Sequence, residues 1–285
     1  MRQELETNRD LSLPLTEAPL AFVDVETTGL TAALGDRICE VAVVLVRGDR
    51  ELFRFATLVN PLRPISPGAA AVNGLCDALL QDAPLFAEVA GEVRQALSLG
   101  LPVAHNAPFD LSFLAPELAA AGQEPPAAGA GDTLALARRL LPPGQRCGLP
   151  ALAGFFRLSS PGEAHRALAD ALMTRALFWR LLGKARLGRR TTLADLLELQ
   201  GGPAPWPTAG DRSRLSLPPE LAGAVDAGRR VLLVYLSASG RRTSRLVELS
   251  SAYASGGTVY LVGFCHLRQE QRTFRLDRIL DWTPA

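Results

Sequence analysis

Asp24 and Glu26 lie two residues apart in Phe22-Val23-Asp24-Val25-Glu26-Thr27-Thr28-Gly29, an apolar run that stops at a turn. The run reads as a strand. Alternate side chains of a strand share a face, so the two acids point one way while Val23 and Val25 point to the opposite, buried side. Paired like charges at the end of a buried strand are unfavourable unless a cation joins them, and hard oxygen ligands suit magnesium or manganese. Two acids so spaced also occur on exposed strand ends, so the octapeptide alone leaves a solvated turn open.

Two further stretches carry groups of the same kind. In His105-Asn106-Ala107-Pro108-Phe109-Asp110, Asn106 is a good N-cap and Pro108 suits a first helical turn. Asp110 then falls near the positive end of a helix, where a carboxylate stays ionised; an acid in a first turn is also ordinary helix chemistry. In His165-Arg166-Ala167-Leu168-Ala169-Asp170 the histidine and the acid are five residues apart. Five residues turn a helix about 140° out of alignment. The two groups meet only if His165 lies on the loop before the helix, beside Pro161-Gly162, and Asp170 lies on the helix itself.

These groups need a scaffold, and the chain supplies one. Its 285 residues, 48% hydrophobic and 21% charged, can bury one large core or two. The strand at 20–26 is followed by β-rich runs at 38–46 and 51–59 with a Gly48-Asp49-Arg50 hairpin between them, which predicts a three-strand meander. Helical spacing over 84–99 leads into a short strand, Leu101-Pro102-Val103-Ala104, and helices are expected at 107–121, 133–140, 149–156 and 166–182. Short strands alternating with helices predict an α/β layer fold with a mixed sheet. From about 183 to 222, Gly and Pro punctuate a linker, with room for a short helix at 191–199. Beyond it, four short strands between Ser/Gly-rich turns predict a small all-β module over 223–285. Residues 1–17 read as a polar leader.

Charge divides along the same boundaries. The net is −5 over residues 1–180, +2 over 181–222 and +4 over 223–285. The basic C-terminal part suits an anion such as a nucleic acid. The four cysteines, Cys39, Cys76, Cys147 and Cys265, are far apart and read as reduced thiols of a cytoplasmic protein. No signal peptide and no membrane span are expected.

Four acids and a histidine in this order and context resemble the DnaQ-like 3′→5′ exonucleases, the DEDDh branch of the RNase H-like superfamily. The resemblance covers roughly 18–182, and FVDVETTG, HNAPFDLSFL and HRALADA carry it. Asp132-Thr133-Leu134-Ala135 also resembles the family's Asp-Thr helix start, although capping alone explains Asp132. The resemblance implies an RNase H-like sheet flanked by helices and a two-metal hydrolysis with Mg2+ or Mn2+. Asp24, Glu26 and Asp170 would hold the ion carrying the attacking water, with Asp24 shared to a second ion near Asp110. His165 would take the water's proton, its imidazole being neutral near working pH. The implied product is a nucleoside 5′-monophosphate. Backbone around Thr27 and Thr28, with Leu30, would line the pocket for the terminal nucleotide, and Asn106 could bond the strand. Pro67 to Leu75 resembles the segment that in many relatives ends in His-Gly-Ile; here Asn73 replaces the histidine, at a position expected near the substrate and not on the metals.

The segment 229–285 resembles a WYL domain, a small SH3/Sm-like β-barrel usually attached to bacterial regulators and nucleic-acid enzymes. Gly257 to Cys265 and Arg272 to Ile279 carry the likeness, with Val259 where the name-giving Trp usually stands. The ligand-binding role it implies falls on Tyr260, Arg245, Arg275 and Arg278: arginine forks suit phosphate and a ring can stack on a base. The expected substrate is nucleic acid with a free 3′ end, single-stranded DNA favoured because end-trimming needs an unpaired terminus. RNA is the rival. A ligand-sensing regulator that uses the nuclease fold as a platform is the reading from a different class.

Overall fold

In the computed structural model, residues 10–30, 32, 35–126, 129–159, 165–185, 187, 190–207, 217–237, 240–255 and 258–285 are described. Two compact units divide the chain: the first takes in the residues up to Gly29 and Arg37–Trp206, the second Leu30–Asp36 and Pro207–Ala285.

The first unit is built on a five-stranded mixed sheet. β1 (Pro19–Thr27), β2 (Ile38–Arg47) and β3 (Arg50–Leu58) form the expected antiparallel meander, and β4 (Leu101–Ala104) and β5 (Gly131–Asp132) add parallel to the other side of β1, giving the order β3-β2-β1-β4-β5. Residues 38–46 are all buried, as the near-continuous apolar run of β2 requires of a strand covered on both faces. β3, at the edge, has only exposed and half-buried residues. The hairpin joining them turns at Gly48, whose φ of 57° favours glycine and whose position leaves no room for a Cβ beside the carbonyl of Thr16, 2.9 Å from where it would lie.

The helices are α1 (Pro67–Asn73), α2 (Asp77–Leu80), α3 (Phe86–Ser98), α4 (Ala107–Ala120), α5 (Thr133–Leu140), α6 (Leu149–Phe156), α7 (Ala167–Lys184) and α8 (Leu193–Gln200). One sheet face, with Leu20 and Phe22 of β1 and Ala42, Val44 and Val46 of β2, packs against Ala171, Leu177, Phe178 and Leu181 of α7. Phe22 and Phe178 meet edge to face with centroids 5.5 Å apart, a geometry that contributes about 0.5–1.5 kcal/mol beyond the area buried. Asp24 and Glu26 continue the alternation of Leu20 and Phe22. Both acids therefore stand on the α7 side of the sheet.

The first unit extends past the boundaries expected from the sequence. The N–H of Leu15 donates to Thr191, and those of Leu193 and Ala194 donate to Leu13 and Leu11, so the end of the leader pairs with the start of α8. Leu193, Leu196 and Leu197 of α8 enter the same core as α7, and Ala130 and Ala204 exchange two backbone bonds of 2.8 Å. Much of what Gly and Pro mark as linker is thus a strap closing the edge of β5; glycine ends helices as well as opening linkers, and Gly201 caps α8 at a φ of 99°.

The second unit has α9 (Pro219–Asp226), which crosses the expected end of the linker at 222, and continues through β6 (Arg230–Leu236), β7 (Arg242–Ser255), β8 (Thr258–Cys265), β9 (Glu270–Arg275) and β10 (Ile279–Pro284). The strands form one antiparallel sheet in the order β10-β6-β7-β8-β9. Leu221 and Val225 of α9 pack with Val231, Leu233, Val247, Leu261 and Phe274 in its core. The Leu276–Arg278 turn of 3-10 helix carries the chain from β9 to β10. In neither unit, among the described residues, is a helix long and apolar enough to cross a membrane.

Candidate active site

Strand alternation and helix α7 bring three acids together. Carboxylate oxygens of Asp24, Glu26 and Asp170 lie within 4.8 Å of one another. Each is half-buried, where the end of β1 meets the start of α7. Burial raises Glu26 to about 8, with Asp170 and Glu40 adding to the rise and Asn73 and Arg166 opposing it. Asp24 is pushed well above the usual carboxylate range by burial and then by Asp110, Glu26, Asp170 and Glu40. Such a cluster is held together against its own repulsion, and a hard cation would relieve it. The donors are all oxygen, which fits Mg2+ or Mn2+.

Asp110 approaches the same strand from α4. It is buried, and its Oδ1 accepts the N–H of Val25, between the two acids of β1, at 3.1 Å. Burial raises its pKa, and that N–H works the other way. Its helix does not begin as expected. Asn106 occupies the N-cap position, but its side chain makes no capping bond and its backbone is left-handed, φ 72°, a conformation asparagine tolerates. The side chain is exposed. Asp132 supplies the missing acceptor: its Oδ1 takes the N–H of Asn106 and that of Leu134, each at 2.9 Å.

His165 sits on the loop before α7 and Asp170 in its first turn. Both the imidazole and the backbone of His165 oppose the burial that raises Asp170. His165 has a left-handed φ of 60°; residues 160–164, including Pro161-Gly162, lie outside the described residues. Beside it the sequence reading missed Glu40. This buried acid of β2 is the register partner of Glu26 and contacts Arg166, at 2.9 Å to Nη2. Its signal was legible: an acid inside an apolar strand buried on both faces must have a partner.

The expected pocket residues are placed as follows. Thr27 and Thr28 are buried; the Thr28 hydroxyl accepts the N–H of Arg37 at 3.0 Å, and the Thr28 backbone N–H and carbonyl bond Arg37 and Ser66. Leu30 is half-buried. Asn73 departs from expectation. It is 5% exposed and turned toward β1, where its amide points at the carbonyl of Thr27, 3.5 Å away, and at Cys39 Sγ, 3.9 Å away.

In the second unit Tyr260 and Arg275 are cross-strand partners. Arg275 forks onto Asp277, at 3.0 Å from Nε and 2.7 Å from Nη2, and Arg278 contributes to holding Asp277 low after Arg275. Arg245 is not with them. It shares its strand face with the core residues Val247 and Leu249, donating to Thr243 at 3.1 Å.

Comparison with known proteins bears on both units. Residues 21–178 match the family model described as Exonuclease, and residues 218–284 match that of the WYL domain. A DNA polymerase III subunit epsilon of Rickettsia conorii is 33% identical over 168 residues, which cover 57% of this chain and 73% of that protein. A DNA polymerase III subunit epsilon-like protein of Rhodobacter capsulatus is 35% identical over 189 residues, 65% of this chain but 26% of that longer one. Among solved structures, Exonuclease X in complex with 5′ overhanging duplex DNA is 29% identical, with a TM-score of 0.51, covering 64% of this chain and 99% of that one.

Proposed function

The chain belongs to the DnaQ-like exonuclease family and carries a WYL domain after it, and from that premise we propose that it removes nucleotides from the 3′ end of single-stranded DNA. One observation carries the reading. Asp24, Glu26 and Asp170 offer oxygens within 4.8 Å of one another, and His165 stands against Asp170 at the start of α7. A binding platform has no use for a proton acceptor beside clustered acids.

In this reading Asp24, Glu26 and Asp170 hold one divalent cation and Asp24 with Asp110 a second, Mg2+ or Mn2+. Such ions, when bound, lower the pKa of water and offset charge on a leaving oxygen. His165 accepts the proton of the attacking water, and the DEDDh assignment rests on it. The backbone at Thr27 and Thr28 seats the terminal nucleotide, exposed Asn106 bonds the strand, and the released product is a nucleoside 5′-monophosphate. Tyr260, Arg275 and Arg278 would hold a more distant stretch of nucleic acid or a nucleotide effector. We place the protein in the cytoplasm, where its unpaired cysteines stay reduced.

Single-turnover digestion of 5′-labelled single-stranded DNA, RNA of the same sequence, and a 5′-overhanging duplex tests this, with Mg2+ or Mn2+, the intact protein and Asp24→Ala. The expected result is a ladder shortening from the 3′ end, metal-dependent and absent from the variant, fastest on single-stranded DNA. Faster cleavage of RNA would make it an exoribonuclease. No ladder on any strand would leave the regulator.

A further inference from the structure

We propose that Glu40 and Arg166 form a clamp that sets the start of α7, and with it His165 and Asp170, against the acids of β1; Glu40 is a positioning residue and not a metal ligand. This rests on the reading of Asp24, Glu26 and Asp170 as the ligands of a divalent cation.

Glu40 lies on β2, in register with Glu26. A fourth acid there ought to join the cluster, yet both its oxygens are taken by the start of α7. Oε1 accepts from Arg166 Nη2 at 2.9 Å, and Oε2 accepts from Nε at 3.1 Å and from the backbone N–H of Ala167 at 3.1 Å. Ala167 is the first residue of α7 and Arg166 its N-cap. The Arg166 side chain does not cap the helix; a buried carboxylate from β2 instead satisfies one of the helix's orphan N–H groups and places negative charge at its positive end. Arg166 also accepts the N–H of Asp170 at 3.0 Å through its carbonyl. One residue is thus bonded by its side chain to Glu40 and by its backbone to Asp170, with the left-handed His165 immediately before it. A carboxylate–guanidinium fork is directional, so it fixes the rotation of the helix start as well as its distance. The pair also keeps Glu40 from adding an uncompensated charge beside Glu26.

Mn2+ binding to the full chain, read from the electron paramagnetic resonance signal of free Mn2+, separates positioning from mere charge. If only the field at the acids matters, Glu40→Gln weakens binding, Arg166→Gln tightens it and Arg166→Lys leaves it unchanged. The clamp predicts that all three weaken it, by about tenfold or more, as losses of ligand-orienting partners do. Arg166→Lys is the mild variant, keeping the charge without the fork, and its thermal midpoint in chelator should stay near that of the parent. Tighter binding by Arg166→Gln, or unchanged binding by Arg166→Lys, overturns the clamp while leaving the ligand reading intact. Absence of Mn2+ binding in the intact chain, equal to that of Asp24→Ala, overturns both.

Discussion

Asp132 accepts the backbone N–H of Asn106 at 2.9 Å with the same Oδ1 that caps its own helix at Leu134. One buried carboxylate therefore stabilises two helix starts, that of α5 and that of α4, four residues before Asp110. Asp132→Ala removes a cap and orphans a second N–H. Losses of about 0.5–2 kcal/mol for a cap and about 1–3 kcal/mol for a buried unsatisfied donor are usual. The expected outcome is a thermal midpoint several degrees lower, read by calorimetry, with activity that declines because Asp110 is no longer set.

The acids of the site make the metal-free protein pH-sensitive. Glu26 has an ordinary value of 4.5 and is raised to about 8. Its folded form therefore holds a proton that the unfolded form has released. Between these values the native state binds more protons, so stability falls as pH rises through that window and levels off above it. In chelator the thermal midpoint should drop from pH 5.5 to pH 8. Glu26→Gln should flatten the fall, and saturating Mg2+ should also reduce it by stabilising the ionised form. A midpoint that rises over the same range would refute the assignment.

His165 and Asp170 should be separable kinetically. His165→Ala removes a proton acceptor and leaves the ligand oxygens in place, so the single-turnover rate should fall by about 100- to 10,000-fold with Mn2+ affinity kept. Asp170→Asn removes a ligand, so both should fall. Equal Mn2+ affinity in parent and Asp170→Asn would take Asp170 out of the metal site.

Gln200 shows how far the first unit reaches. Its Oε1 accepts the N–H of Asp132 at 2.8 Å, and its Nε2 donates to the carbonyls of Ala130 and Gly202 at 3.0 and 2.8 Å. Gln200→Ala strips three hydrogen bonds from the edge strand carrying Asp132 and its strap, at about 1 kcal/mol net each. Hydrogen exchange of the Asp132 amide should quicken by more than tenfold while amides of β2 stay protected.

What could be read from the residues followed local physics. The period-2 run of β1, the apolar run of β2 and the 3.6 spacing of α3 and α7 each report their own environment, and the placement of His165 on a loop with Asp170 on the helix follows from the angle between them. What could not be read depends on partners distant in sequence. Glu40 meets Arg166 across 126 residues, and Gln200 meets Asp132 across 68. Asn73 is buried against β1, its amide directed at the carbonyl of Thr27 across 46 residues, which its neighbours in sequence do not show. Helices α1 and α2, of seven and four residues, are too short for a period to show, and a Pro-Gly start reads as a turn unless the cap at Ser66 is seen.

The second unit supplies the last test. Tyr260 and Arg275 face each other across β8 and β9, with Asp277 holding the Arg275 guanidinium. A phosphate would have to compete with that carboxylate for the fork, so Asp277→Asn should loosen the pair and tighten binding of a long single strand, while Arg275→Ala should weaken it. Salt supplies the control, because each phosphate that the protein no longer neutralises lowers the slope of log affinity against log salt by about 0.7 for a single strand. Digestion of a short oligonucleotide should be unchanged in both variants. Unchanged long-strand affinity in Arg275→Ala would remove nucleic-acid binding from this face.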